Sequence, residues 1–123
     1  MNHQRSLSDT ISVSFSTEPV TVRWGGTVVA ESRATVILHE TGYPDRYYFP
    51  RIDVKMDFLK TSDKTTHCPH KGNAAYFDIE TKDGRRDNLA WSYPADKLAV
   101  AEISGYIAFH DDGPDLSLSL IHI

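Results

Sequence analysis

The stretch Thr65-Thr66-His67-Cys68-Pro69-His70-Lys71-Gly72 sets a thiol, two imidazoles and an ammonium almost side by side, and Cys68 is the only cysteine of the chain. A thiol beside His67, His70 and Lys71 has the neighbours that depress a cysteine pKa and expose a thiolate nucleophile. The opposing reading is that Cys68 packs as a small apolar side chain, as free cysteines commonly do. A metal site would draw on His67, Cys68 and His70, completed by His110 and Asp111. Zinc sites, however, are built from well-spaced ligand pairs rather than one crowded cluster, so no metal is expected. Pro69 pushes Cys68 toward an extended backbone, Gly72 lets the chain turn, and Lys71 can hold an anion beside exposed amides. The catalytic candidates are therefore Cys68 as nucleophile and Lys71 as a cationic helper.

A second group of residues points to binding. Tyr47, Tyr48, Phe49, Tyr76, Phe77, Trp91, Tyr93, Tyr106 and Phe109 form a dense aromatic set for a chain of 123 residues. On alternating strands about half of them must face the core. The remainder can line a pocket, where Tyr and Trp offer a ring and a polar handle together. Arg33, Arg51 and Asp53 lie within strand-like runs, so they either face solvent or converge on that pocket; Glu40 and Glu102 have the same two readings. The expected pocket residues are Arg33, Tyr48, Arg51, Asp53, Thr66, Trp91 and Tyr93. Spacing alone identifies no general acid–base pair among them.

The elements that must position these groups are strands. Ile11, Val13 and Phe15 alternate with serines, and Val20, Val22 and Trp24 repeat the period before a Gly25-Gly26 hairpin turn. Ala34–Leu38 is a β-branched run, Tyr43-Pro44-Asp45-Arg46 a turn, and Tyr47-Tyr48-Phe49 extended before Pro50. Arg51–Lys55 alternates again. The TTHCPHKG segment reads as a loop, followed by strands over Ala74–Ile79 and Asn88–Tyr93 about a Lys82-Asp83-Gly84 turn. Only residues 95–103 look helical; Gly105–Phe109 and Leu116–Leu120 return to strand. Residues 1–9 read as a disordered polar tail and 10–123 as a single all-β domain with one short helix near 95–103.

Composition narrows the partners. A hydrophobic fraction of 40% with 11% aromatics is that of a globular chain, large enough to bury one core without disulfides. The net charge is −4 with Lys and Arg scattered, which excludes the basic stripe that a nucleic-acid groove requires. One cysteine forms no internal disulfide, and no apolar run approaches the roughly 20 residues of a membrane helix. A cytoplasmic protein that touches neither nucleic acid nor membrane is the expectation.

Four motifs are more specific than their periodicity: ETGYPDRYYFPRIDV at 40–54, TTHCPHKGNAAYFDI at 65–79, AWSYP at 90–94 and AEISGYIAF at 101–109. Their order and spacing over residues 18–112 resemble the domain-of-unknown-function 427 family, also labelled nucleotidyltransferase domain 9. The resemblance implies a small, mostly bacterial β protein whose compact two-sheet arrangement is similar to the β-tent of Mss4-like folds. Two departures stand out. Ile52 replaces an acid of the family pattern, and the segment after Phe109, HDDGPDLSLSLIHI, differs from the usual continuation. The label finds no support in the residues: there is no Gly-Ser pair, Asp111-Asp112 is adjacent rather than alternating, and Lys82-Asp83-Gly84 lacks the spacer of a K-x-D-G nucleophile. No phosphate-binding loop is present and no cofactor is implied. The functional expectation is a small molecule or anion held in a polar-aromatic pocket. Its rivals are an enzyme, through the nucleotidyltransferase label or Cys68, and a homo-oligomeric interaction module.

Overall fold

Most of the segments in which apolar and polar residues alternate extend and pair as strands. The computed structural model describes residues 4–6, 11–68, 72–93, 101–110 and 116–120, with the backbone alone at 4–6, 68, 72 and 116–120. Its strands are β1 (Gln4–Ser6), β2 (Ile11–Phe15), β3 (Val20–Trp24), β4 (Thr27–Ser32), β5 (Val36–Glu40) and β6 (Arg46–Tyr48). They continue as β7 (Leu59–Cys68), β8 (Gly72–Thr81), β9 (Gly84–Ser92), β10 (Ile107–Phe109) and β11 (Leu116–Leu120). The protein is all-β. Its strands pair antiparallel in the orders β1-β2-β5-β6, β10-β9-β8-β7 and β11-β3-β4.

Three hydrogen-bonded sheets thus stand where two were expected, and a bridge explains the relation. Phe49, directly after β6, exchanges both backbone hydrogen bonds with Ile107 of β10, at 2.8 and 2.9 Å. That pair joins the edge of the first sheet to the edge of the second. Two apolar clusters lie against this framework. One gathers Val20, Val22, Trp24, Phe49, Leu59, Ile79, Leu89 and Phe109; the other gathers Ile11, Val13, Val36, Leu38, Tyr48, Trp91, Ile103 and Ala108.

Turn chemistry locks two hairpins together. Gly25 sits at φ +60, and a Cβ there would lie 2.8 Å from the Cβ of Asp83, so the β3–β4 turn can press directly on the β8–β9 turn. The Asp83 carboxylate accepts hydrogen bonds from Gly26 N (3.0 Å) and Thr27 Oγ1 (2.9 Å). The Thr27 bond, with that from Gly26 and the charge of Lys82, holds the Asp83 carboxyl below its ordinary pKa against a smaller opposing effect of desolvation.

Several local expectations change. Arg51–Lys55 is not a strand: Pro50, at φ −56, starts a 3-10 turn over Arg51–Asp53, closed by Asp53 N to Pro50 O and Val54 N to Arg51 O. Thr65–Cys68 is not a loop but the end of β7, paired residue for residue with β8 from Ala75 to Gly72. A helix over 95–103 falls largely outside the described residues; within it, Ala101–Ile103 forms a 3-10 turn. Gln4–Ser6, read as part of a tail, pairs with Ser12–Ser14 as β1. Among the described residues, no helix is long and apolar enough to cross a membrane.

Candidate functional site

The chain forms its candidate site where the two bridged sheets meet. Leu38 of β5 is directly opposite Arg46 of β6, so Leu38, Glu40, Arg46 and Tyr48 share one face by strand alternation. On the second sheet Tyr76 of β8 is opposite Trp91 of β9, which in turn is opposite Ala108 of β10. His110 follows β10 with its amide bound to Leu89 O at 2.9 Å. Tyr43 and Pro44, in the β5–β6 turn, close the rim. All of these but Ala108 and Leu89, together with Tyr93, line an open cavity of about 290 Å³.

The walls are aromatic and interlocked. Tyr48 is fully buried, and its hydroxyl accepts the Trp91 Nε1 hydrogen at 3.1 Å. Trp91 and His110 have ring centroids 4.5 Å apart, and Tyr76 lies nearly parallel to His110, at 15° and 6.5 Å. The Arg46 guanidinium stands 5.6 Å over the Trp91 ring. Strand β7 braces Tyr76 from behind: Thr66 Oγ1 is 3.1 Å from the Tyr76 hydroxyl, and Lys64 Nζ is 4.6 Å from its ring centre. Such an arrangement can stack an unsaturated ring and meet an acid group with a cation that already lies on a ring face.

Of the residues singled out from the sequence, Tyr48, Trp91 and Tyr93 come together on this cavity, and Thr66 reaches it through Tyr76. Arg33, Arg51 and Asp53 do not line it. Arg33 is exposed. Arg51 Nε donates to Gly105 O at 2.9 Å with its guanidinium 5.7 Å over Phe77, and Asp53 accepts from Ser32 Oγ at 2.6 Å. The 3-10 turn after Pro50 breaks the alternation that would have aimed Arg51 and Asp53 inward. Cys68 is placed only by its backbone, opposite Gly72, and Lys71 lies outside the described residues. Arg46 is a further residue of this cavity, and the sequence carries a signal for it: two residues before Tyr48 on one strand, it faces the same way.

A second, more polar cleft of about 420 Å³ lies on the same sheet, over the bulges of β7 and β8. Asp78, between the register-shifted Phe77 and Ile79, accepts Asn88 N at 2.9 Å and Arg85 Nη2 at 2.9 Å. Asn88 is held at φ +58 and accepts from Ser62 Oγ. Arg85 Nε also pairs with Asp87 Oδ1 at 2.9 Å. These charges satisfy one another and fix the bulges, a structural role. Among the described residues, no three His, Cys, Asp or Glu side chains converge to hold a metal ion.

A family model described as a domain of unknown function (DUF427), with the label NTP_transf_9, matches residues 12–119. The chain belongs to this family. No curated protein matches it.

Proposed function

We propose that the cavity between the bridged sheets binds a small molecule carrying an unsaturated ring and an acid group. The observation that carries this reading is Arg46 lying 5.6 Å over Trp91 in the wall of a cavity lined also by Glu40, Tyr48, Tyr76, Tyr93 and His110. Aromatic faces favour a planar ring. A guanidinium presents N–H donors in a planar fork that matches a carboxylate. A volume of about 290 Å³ is near the lower limit of ligand cavities, which favours a ligand much smaller than a dinucleotide.

A thermal-shift comparison of benzoate, cyclohexanecarboxylate, benzylamine and inorganic phosphate tests the reading. Benzoate should raise the melting temperature with concentration, as mass action requires of any ligand that binds only the folded state. Benzylamine, with the same ring and the opposite charge, should raise it less. No shift with any of the four, together with concentration-dependent dimerisation, would replace the binding reading with that of a homo-oligomeric interaction module.

A further inference from the structure

On the opposite face of strand β5 from the cavity, Ser14, His39 and Asp45 form a connected line. Ser14 Oγ is 2.8 Å from His39 Nε2, and His39 Nδ1 is 2.9 Å from Asp45 Oδ1. The three come from β2, β5 and the β5–β6 turn, so the sheet itself assembles them. Their polarity follows from elementary chemistry. An ionised carboxylate has no hydrogen to give, so His39 Nδ1 must carry the proton that bridges to Asp45. In the neutral imidazole this leaves Nε2 with a lone pair, and Ser14 must donate its hydroxyl hydrogen to it. A hydroxyl bound to an imidazole lone pair, with the imidazole oriented by a third group, is the arrangement of an activated serine.

We propose that Ser14, His39 and Asp45 form a nucleophilic relay that accepts an acyl group from activated esters. Ser14 Oγ attacks the carbonyl carbon and forms the new C–O bond while its proton moves to His39 Nε2. The bond to the leaving oxygen breaks, and His39 returns the proton to that oxygen. Water then repeats the sequence at the acyl-serine, releasing the carboxylic acid and restoring the Ser14 hydroxyl. Asp45 is a positioning residue: it fixes the tautomer and faces the transient imidazolium.

The surroundings set the substrate class. Ile37 is directly opposite Ser14, and Tyr47 directly opposite Ile37, so a half-buried apolar strip runs beside the nucleophile and suits a short apolar acyl chain. β2 is paired along both edges, so its amides are engaged in ladders rather than offered to an oxyanion. Loss of a single oxyanion donor costs about a hundredfold to a thousandfold in rate. The relay therefore suits esters with good leaving groups, and acyl-serine should accumulate because its hydrolysis is slow.

Incubation of the full chain with p-nitrophenyl acetate, followed by peptide mass mapping, tests the proposal. The expected result is one acetyl group on Ser14 with matching release of p-nitrophenol, at a rate reduced about a hundredfold or more in His39→Gln. Ser14→Ala should abolish the adduct, and should it fail to fold, Ser14→Cys should carry the acetyl group as a thioester in its place. The 15N resonances of His39 should report the Nδ1–H tautomer in the wild type and a mixture in Asp45→Asn, a change that mere loss of a surface contact would not produce. Absence of an acetyl group on Ser14 in the folded wild type, or acetylation undiminished in His39→Gln, would overturn the relay.

Discussion

Trp91 Nε1 donates to the Tyr48 hydroxyl across 3.1 Å, with the two rings edge to face at 87° and centroids 6.3 Å apart. Tyr48 ends β6 of one sheet and Trp91 lies in β9 of the other, so a single buried hydrogen bond ties together the two walls of the cavity. Tyr48→Phe keeps the ring but leaves the indole N–H buried without its acceptor. The expected loss is about 1–3 kcal/mol in chemical denaturation. Trp91→Phe in the Tyr48→Phe background should add no further hydrogen-bond cost, and a double-mutant cycle measures the coupling.

Trp24 provides the contrast. Its Nε1 is buried and has no hydrogen-bond partner among the described residues. Trp24→Phe therefore removes packing but no hydrogen bond, and it relieves an orphaned donor. Its cost should fall below that of a core cavity from truncation to Ala, about 3–5 kcal/mol for a Trp. Urea denaturation of Trp24→Phe and Trp24→Ala side by side makes the comparison.

The clasp between the hairpins should be acid-sensitive. Asp83 has its carboxyl pKa held below the ordinary value, mainly by the Thr27 hydrogen bond. A depressed carboxyl pKa contributes stability that is present above the unfolded pKa and lost as pH falls through the folded one. Asp83→Ala should lower the melting temperature at neutral pH, and the difference from wild type should shrink as pH falls below the ordinary Asp value of 3.8. A difference that stays constant with pH would place the effect in packing instead.

Tyr47 should behave in the opposite sense at high pH. Burial, followed by the nearby charges of Asp45 and Glu18, raises its pKa above the ordinary 10.0. A raised pKa contributes stability that is complete below the unfolded value and lost as pH rises through the folded one. Wild type should lose stability relative to Tyr47→Phe on moving above pH 10.0, while ultraviolet difference titration should show a late-ionising phenol absent from the variant.

Much of this was legible from residue order alone. The alternation in Ile11–Phe15 and Val20–Trp24 marks both strands and buries Ile11, Val13, Val20, Val22 and Trp24, although Phe15 is exposed and Thr21 buried against the period. Gly25-Gly26 marks the turn that the Asp83 clasp needs. Tyr48 and Trp91 are legible as ring-bearing residues on strands, and Tyr93 as one just past the end of β9. Strand β7 was not, because most of its residues after Leu59 are Lys, Thr, Ser, Asp and His, and it lies at the edge of its sheet, where no second neighbour imposes an apolar period. Arg51 and Asp53 misled because Arg-Ile-Asp-Val-Lys alternates as a strand does, yet Pro50 turns it into a 3-10 segment. The rim at Tyr43 and Pro44, and the placement of His110 against Trp91, depend on contacts between segments far apart in the chain. No local pattern encodes these.

The proposed binding of an acidic ring beside Arg46 is tested most directly by fluorescence titration of benzoate into Trp24→Phe, in which Trp91 is the sole indole. A saturable change in Trp91 emission is predicted, with its midpoint raised about tenfold or more in the Arg46→Met background, as expected for loss of a charge-assisted hydrogen bond of about 1.5–3 kcal/mol. A titration without saturation, or a midpoint indifferent to Arg46, would contradict it.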